Sequence, residues 1–105
     1  MSNGFDDVEF GDHFSGVLDD LSEQMDGEFK GATADLKQNA DQIIAQLNEI
    51  KDMQGKAGTD QANLVAKTQD VKDDLAAFER RFGSAGQKIG QMIRSKVNAF
   101  LPIPL

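Results

Sequence analysis

Leu36-Lys37-Gln38-Asn39-Ala40-Asp41-Gln42-Ile43-Ile44-Ala45-Gln46-Leu47-Asn48-Glu49-Ile50 and, after a polar interval, Leu64-Val65-Ala66-Lys67-Thr68-Gln69-Asp70-Val71-Lys72-Asp73-Asp74-Leu75-Ala76-Ala77-Phe78 decide the fold. Steps of four and three, alternating from Phe29, touch Thr33, Leu36, Ala40, Ile43, Leu47, Ile50, Gln54, Ala57, Gln61, Leu64, Thr68, Val71, Leu75, Phe78 and Phe82 without a break in phase. A stripe at this spacing is the seam of a coiled coil, because underwinding to about 3.5 residues per turn keeps it facing a partner. The reading is all-α.

The stripe turns polar at Gln54, Ala57 and Gln61, in the interval that holds Gly55-Lys56-Ala57-Gly58-Thr59-Asp60. Gly55 and Gly58 are stop signals, and Thr59 or Asp60 can cap a new helix, so a hairpin or kinked pair hinged at 55–60 is favoured. The preserved phase also permits one long helix, at about 2 kcal/mol for two interior glycines. A hairpin alone buries a narrow seam. Pairing between copies, or against a larger body, is therefore expected.

Outward from the stripe, residues 1–13 read as an acidic disordered lead, and 14–82 as the helical coiled-coil segment. Asp12 is a candidate cap for a first helix carrying Phe14, Val17, Leu18, Leu21 and Met25, shortened by Gly16 and Gly27. Residues 83–86, Gly-Ser-Ala-Gly, form a flexible break. Residues 87–105 hold a short amphipathic helix bearing Ile89, Ile93, Val97 and Phe100, then the proline-stiffened Leu101-Pro102-Ile103-Pro104-Leu105. That apolar tail suits a docking strand.

Composition narrows the classes. The chain has 105 residues, 18 acids, 11 bases, one His and no Cys, for a net charge of -7. Without cysteine there is no disulfide framework, thiolate nucleophile or Cys-based metal site. Acidity argues against nucleic acid, whose affinity rests on cations, and no apolar run suffices for a membrane span. Charge is uneven: residues 1–28 carry acids and no base, whereas 79–105 set Glu79 against Arg80, Arg81, Lys88, Arg94 and Lys96. Acidic head and basic tail either stay solvated or meet, between copies or on a partner.

Catalytic chemistry finds no foothold. His13 is the single imidazole and sits in the lead. The pairs Asp6-Asp7, Asp19-Asp20 and Asp73-Asp74 are adjacent and splay about 100° apart on a helix instead of converging. No phosphate-cradling loop or calcium-loop spacing occurs. The chain reads as a non-enzyme with no metal or cofactor. Its candidate functional residues are interaction residues: Leu36, Ile43, Leu47, Ile50, Leu64, Val71, Leu75, Phe78 and Phe82 on the seam, Arg80 and Arg81 beside its aromatic end, and Ile89, Ile93, Val97 and Phe100 on the last helix.

The layout of an acidic helical segment, the break at Ala77-Phe78-Glu79-Arg80-Arg81-Phe82-Gly83-Ser84-Ala85-Gly86 and the helix at Ile89-Gly90-Gln91-Met92-Ile93-Arg94-Ser95-Lys96-Val97-Asn98-Ala99-Phe100 resembles the N-terminal scaffolding (delta) domain of HK97-type tailed-phage major capsid proteins. The resemblance covers roughly residues 20–100. It implies a capsid-assembly scaffold that acts by reversible association of copies and is commonly cut away by a phage protease. The implied partners are the chain itself and a larger capsid protein, in the host bacterial cytoplasm during assembly and then in the procapsid interior or virion. The shell-forming domain that follows in that family is not within these residues. An adaptor or structural virion protein, docking on a larger protein through Phe5 to Phe14 and the Leu101 to Leu105 tail, is the alternative. A secretion-type or chaperone-bound hairpin is a third.

Overall fold

A computed structural model describes residues 7–28 and 34–105. The first six residues of the expected lead, with Phe5, and Phe29 and Thr33 of the stripe, lie outside the described residues. The chain forms α1 (Asp7–Glu28), α2 (Ala34–Gln54), α3 (Gln61–Val97) and a 3-10 turn at Asn98–Phe100. No strand occurs among the described residues, and the class is all-α.

The stripe is the inner face of a bundle. Leu36, Ala40, Ile43, Leu47 and Ile50 of α2 are buried, as are Leu64, Thr68, Val71, Leu75 and Phe78 of α3. Three polar contacts set the direction of this pair: Arg81 to Asp35 (2.6 Å), Gln46 to Asp74 (2.8 Å) and Lys67 to Glu49 (2.7 Å). Partners advance along α2 while they retreat along α3, so the two helices are antiparallel. The link between them follows the stop and start chemistry of 55–60. Gly58 takes φ 80°, the Thr59 hydroxyl donates to Met53 O at 2.6 Å, and the Asp60 carboxylate accepts from Ala62 N–H at 2.9 Å. Asp60→Ala should remove about 1 kcal/mol. The check is urea unfolding, with a lower midpoint and an unchanged slope.

The expected elongated hairpin needed cover from outside, and the chain supplies that cover itself. Part of it is α1, with Phe14, Leu18, Leu21 and Met25 all buried. It begins at Asp7, inside the stretch read as a disordered lead, so Asp12 lies within the helix instead of capping it. Once a turn is nucleated, each further residue adds a hydrogen bond for little ordering cost. The expectation of a short helix also gives way: α1 runs 22 residues through Gly16 and Gly27. Burial of four large apolar side chains, each worth about 1.5–3 kcal/mol, exceeds the two glycine penalties of about 1 kcal/mol.

The rest of the cover is the end of α3 itself. An unbroken helix of 37 residues would be about 55 Å long, yet the longest dimension of the molecule is 48 Å. Gly83 takes φ 62° and ψ -135°, outside helical values, and the helix resumes beyond it. The limb 84–97 then travels back toward the start of α3, so that Ala99, Phe100, Leu101 and Pro102 lie around one groove with Gln61 and Leu64. Phe100 stacks on Phe14 with ring centroids 4.9 Å apart, and its carbonyl accepts from Gln54 Nε2 at 2.7 Å. Phe14 therefore lies at the end of the molecule where α2 finishes, so α1 and α2 run in opposite directions. The four helical segments alternate in direction, as in an up-down-up-down bundle.

Residues 83–86, read as a flexible break, contain a one-residue bend followed by tight packing. Gly86 is buried, and a Cβ there would come within 3.0 Å of both Phe78 O and Phe82 Cβ. The proline-stiffened tail is also accounted for within the chain. Leu105 is buried, its N–H donates to Asn98 Oδ1 at 2.8 Å, and its carbonyl accepts from Arg94 Nε at 3.2 Å.

Candidate interaction surfaces

Most of the residues expected to meet a partner sit inside the bundle. Leu36, Ile43, Leu47, Ile50, Leu64, Val71, Leu75, Phe78, Ile89, Ile93 and Val97 belong to one continuous apolar cluster, and Phe82 and Phe100 pack against it half-buried. A second copy could reach the seam only by opening the fold. The stripe periodicity carries no information about whether cover comes from the same chain or from another, because the apolar spacing satisfies both.

Arg80 and Arg81 are exposed, and the two differ in their surroundings. Arg81 Nη2 reaches Asp35 Oδ2 at 2.6 Å, and its guanidinium lies 5.1 Å from the centre of the Phe82 ring. Phe82 in turn leans on Phe78, with ring centres 5.0 Å apart. Arg81 thus ties the end of the first α3 limb to the start of α2, an exposed tie worth little by itself.

The strongest polar node was not among the candidate residues. Arg94 grips Glu79 through two parallel bonds of 2.7 and 2.6 Å, with both side chains less than a third exposed. The same guanidinium donates its Nε–H to Leu105 O. One side chain therefore joins both limbs of α3 and the tail. The hydrogen bond to Glu79 raises the Arg94 pKa above its ordinary value, against the opposing effect of desolvation and with the Glu79 charge assisting. Gly90 makes room for this pair, since a Cβ there would lie 2.5 Å from Glu79 Oε2. Fifteen residues separate Arg94 from Glu79 in sequence, so no local pattern signals the contact; only the bend at Gly83 creates it.

Surface grooves are lined by described residues at two places. One, of about 260 Å³, lies between α2 and α3 over Ile43 and Phe78, with Asn39, Gln46, Asp74 and Arg81 at its sides. The other, of about 570 Å³, opens at the end of the bundle between the 56–59 loop and residues 99–102. Gln46 Oε1 and Gln54 Oε1, one beside each groove, are buried without a hydrogen-bond partner. Neither groove gathers acid, base and nucleophile. Among the described residues no three His, Cys, Asp or Glu side chains converge as metal ligands, and no helix is long and apolar enough to cross a membrane.

No protein family, characterised protein or solved structure matches the chain. Its surface chemistry is therefore read on its own terms. Asp12, Asp19, Asp20, Glu23 and Asp26 are exposed along α1, whose sequence holds no base. Arg80 and Lys88 are exposed on either side of the Gly83 bend. The acidic head and basic tail of the sequence thus become a negatively charged helix face and a positively charged corner.

Proposed function

We propose that this chain is a non-enzymatic assembly protein of the tailed-phage kind, working as a closed bundle that seats on a larger capsid or virion protein. The observation that carries this reading is the burial of the stripe: Leu47, Ile50, Val71 and Leu75 are wholly covered by their own chain. Docking through the outer faces costs no unfolding, whereas pairing seams between copies would first expose that core. The acidic α1 face and the cationic corner at Gly83 offer charge complementarity, which sets encounter rate and register more than affinity. Such a protein would act in the bacterial cytoplasm during assembly and remain in the procapsid interior or virion. An acidic surface also repels packaged DNA.

A scaffold in which copies associate is the second reading. It is favoured by a different observation, the one-residue bend at Gly83, which leaves a route for sharing the buried stripe between copies.

The test is co-expression with the shell protein of the same genome, followed by electron microscopy and sedimentation. We expect particles that contain this chain, and loss of incorporation when Asp19, Asp20 and Glu23 are all replaced by Lys. Unchanged particle assembly without the chain, together with separate sedimentation of the two proteins, would remove the proposal. Refractive-index detection suits the chain, which has no Trp or Tyr.

A further inference from the structure

The bend at Gly83 joins two helical limbs whose buried faces are already in line. Leu75, Phe78, Gly86, Ile89, Ile93 and Val97 are buried and Phe82 is half-buried. Their spacings run three, four, four, three, four, four, an eleven-residue repeat of about 3.67 residues per turn that keeps one face of a straight helix. A turn that served only to reverse the chain would place no such constraint on the phase across it. Within α3 only Gly83 leaves helical dihedrals, so one residue separates the bent form from a straight helix. A Cβ placed on Gly83 would meet nothing within 4 Å, so open space surrounds the pivot on that side.

We propose that the 84–97 limb exchanges between two copies of this chain. Gly83 relaxes to helical values, α3 straightens, and each limb occupies the site vacated by the limb of the other copy. The contacts of the closed form are then made again between chains, including Arg94 on Glu79 and the close approach of Gly86 to Phe78 and Phe82. The interface is isologous, as a two-fold pair requires, and short hinges invite such exchange. Around the axis the chain presents Gly83, Ser84 and Ala85, small and exposed, so two corners can meet without bulk between them. The partner committed to is a second copy, and the inference does not depend on which larger protein the bundle serves.

Two measurements test it. Gly83→Ala adds a methyl group that touches nothing, and it acts by disfavouring positive φ, a conformation L side chains rarely adopt. Sedimentation should show a dimer dissociation constant at least about tenfold lower than that of the native chain, the scale of strain such a backbone conformation carries, with native-like helical content. A second experiment leaves Gly83 intact. Glu79→Arg and Arg94→Glu each set like charges together, whether the chain is closed or swapped with itself. In a swapped pair of the two variants, the substituted arginine faces the substituted glutamate, and native Glu79 faces native Arg94. The equimolar mixture should therefore sediment as a dimer when each variant alone stays monomeric. A Gly83→Ala chain that folds as a monomer at every concentration would overturn the proposal. So would a mixture that yields no heterodimer, and that result stands even if Gly83→Ala fails to fold.

Discussion

Leu75→Ala is expected to cost about 3 kcal/mol and to lower the thermal midpoint by roughly 12–24 °C. Leu75 is fully covered, mid-stripe, in the one apolar cluster to which α1, α2 and both limbs of α3 contribute. Truncation removes its transfer free energy and leaves a cavity that helices held from several sides cannot readily close. The dependence on concentration carries the information. In an intramolecular bundle the variant and the native chain each hold their own midpoint unchanged from about 1 to 50 µM, because folding is unimolecular. In a seam built between copies, both midpoints would rise with concentration by mass action. A rising midpoint in the native chain over that range would show that the core is closed by association, through the seam or through exchange of the 84–97 limb. Leu47→Asp and Leu75→Asp go further: each leaves a carboxylate in the core with no partner, and the chain should lose its far-ultraviolet helical signal.

The second large effect belongs to Arg94. Two parallel bonds to a mostly buried carboxylate, plus one to Leu105 O, make its removal a loss at three places. A double-mutant cycle on Glu79→Gln and Arg94→Met should return a coupling of about 2 kcal/mol, in the range of charge-assisted hydrogen bonds. Arg94→Lys should recover only a fraction, because an ammonium cannot present the planar fork that fits both oxygens. A coupling below about 0.5 kcal/mol would place the pair among ordinary exposed ion pairs. The sign of the pH dependence follows from the raised Arg94 pKa. A group whose pKa rises on folding stabilises fully below its unfolded value and loses that contribution only as pH climbs through the folded one. The Arg94 contribution is therefore flat from neutral to moderately alkaline pH and falls away above the ordinary arginine range. Hydrogen exchange offers a local check, since Arg94→Met should release the backbone of residues 98–105 before the rest of the bundle.

Much of the architecture was legible in residue spacing. Leu36 to Ile50 and Leu64 to Phe78 repeat at intervals only a helix can place on one side, and all the apolar side chains at those seam positions are buried. The stop and start chemistry favoured a break at 55–60 while the unbroken phase also permitted one long helix; Gly58 supplies a positive φ and Asp60 a cap, chemistries that act over two or three residues. The extent of α1 was not legible. Gly16 and Gly27 weaken a helix locally, and only the packing of Phe14, Leu18, Leu21 and Met25 against the rest of the chain overrides them. The Gly83-Ser84-Ala85-Gly86 stretch has the composition of a linker, which predicts a loose segment. Its order comes from close backbone contact at Gly86, which needs the neighbouring limb already in place.

The amino-acid sequence by itself determined the all-α class and the faces that α2 and α3 bury, and it favoured a hairpin at 55–60 over one long helix, since periodicity, caps and stop signals act within a few residues. Tertiary structure alone decided what covers that face. An apolar stripe lowers its free energy against any matching stripe, and spacing cannot distinguish one in the same chain from one in another. The φ and ψ of Gly83 make that choice here. They turn the last limb back along the bundle, bring Arg94 onto Glu79 across fifteen residues, and close the core within a single copy.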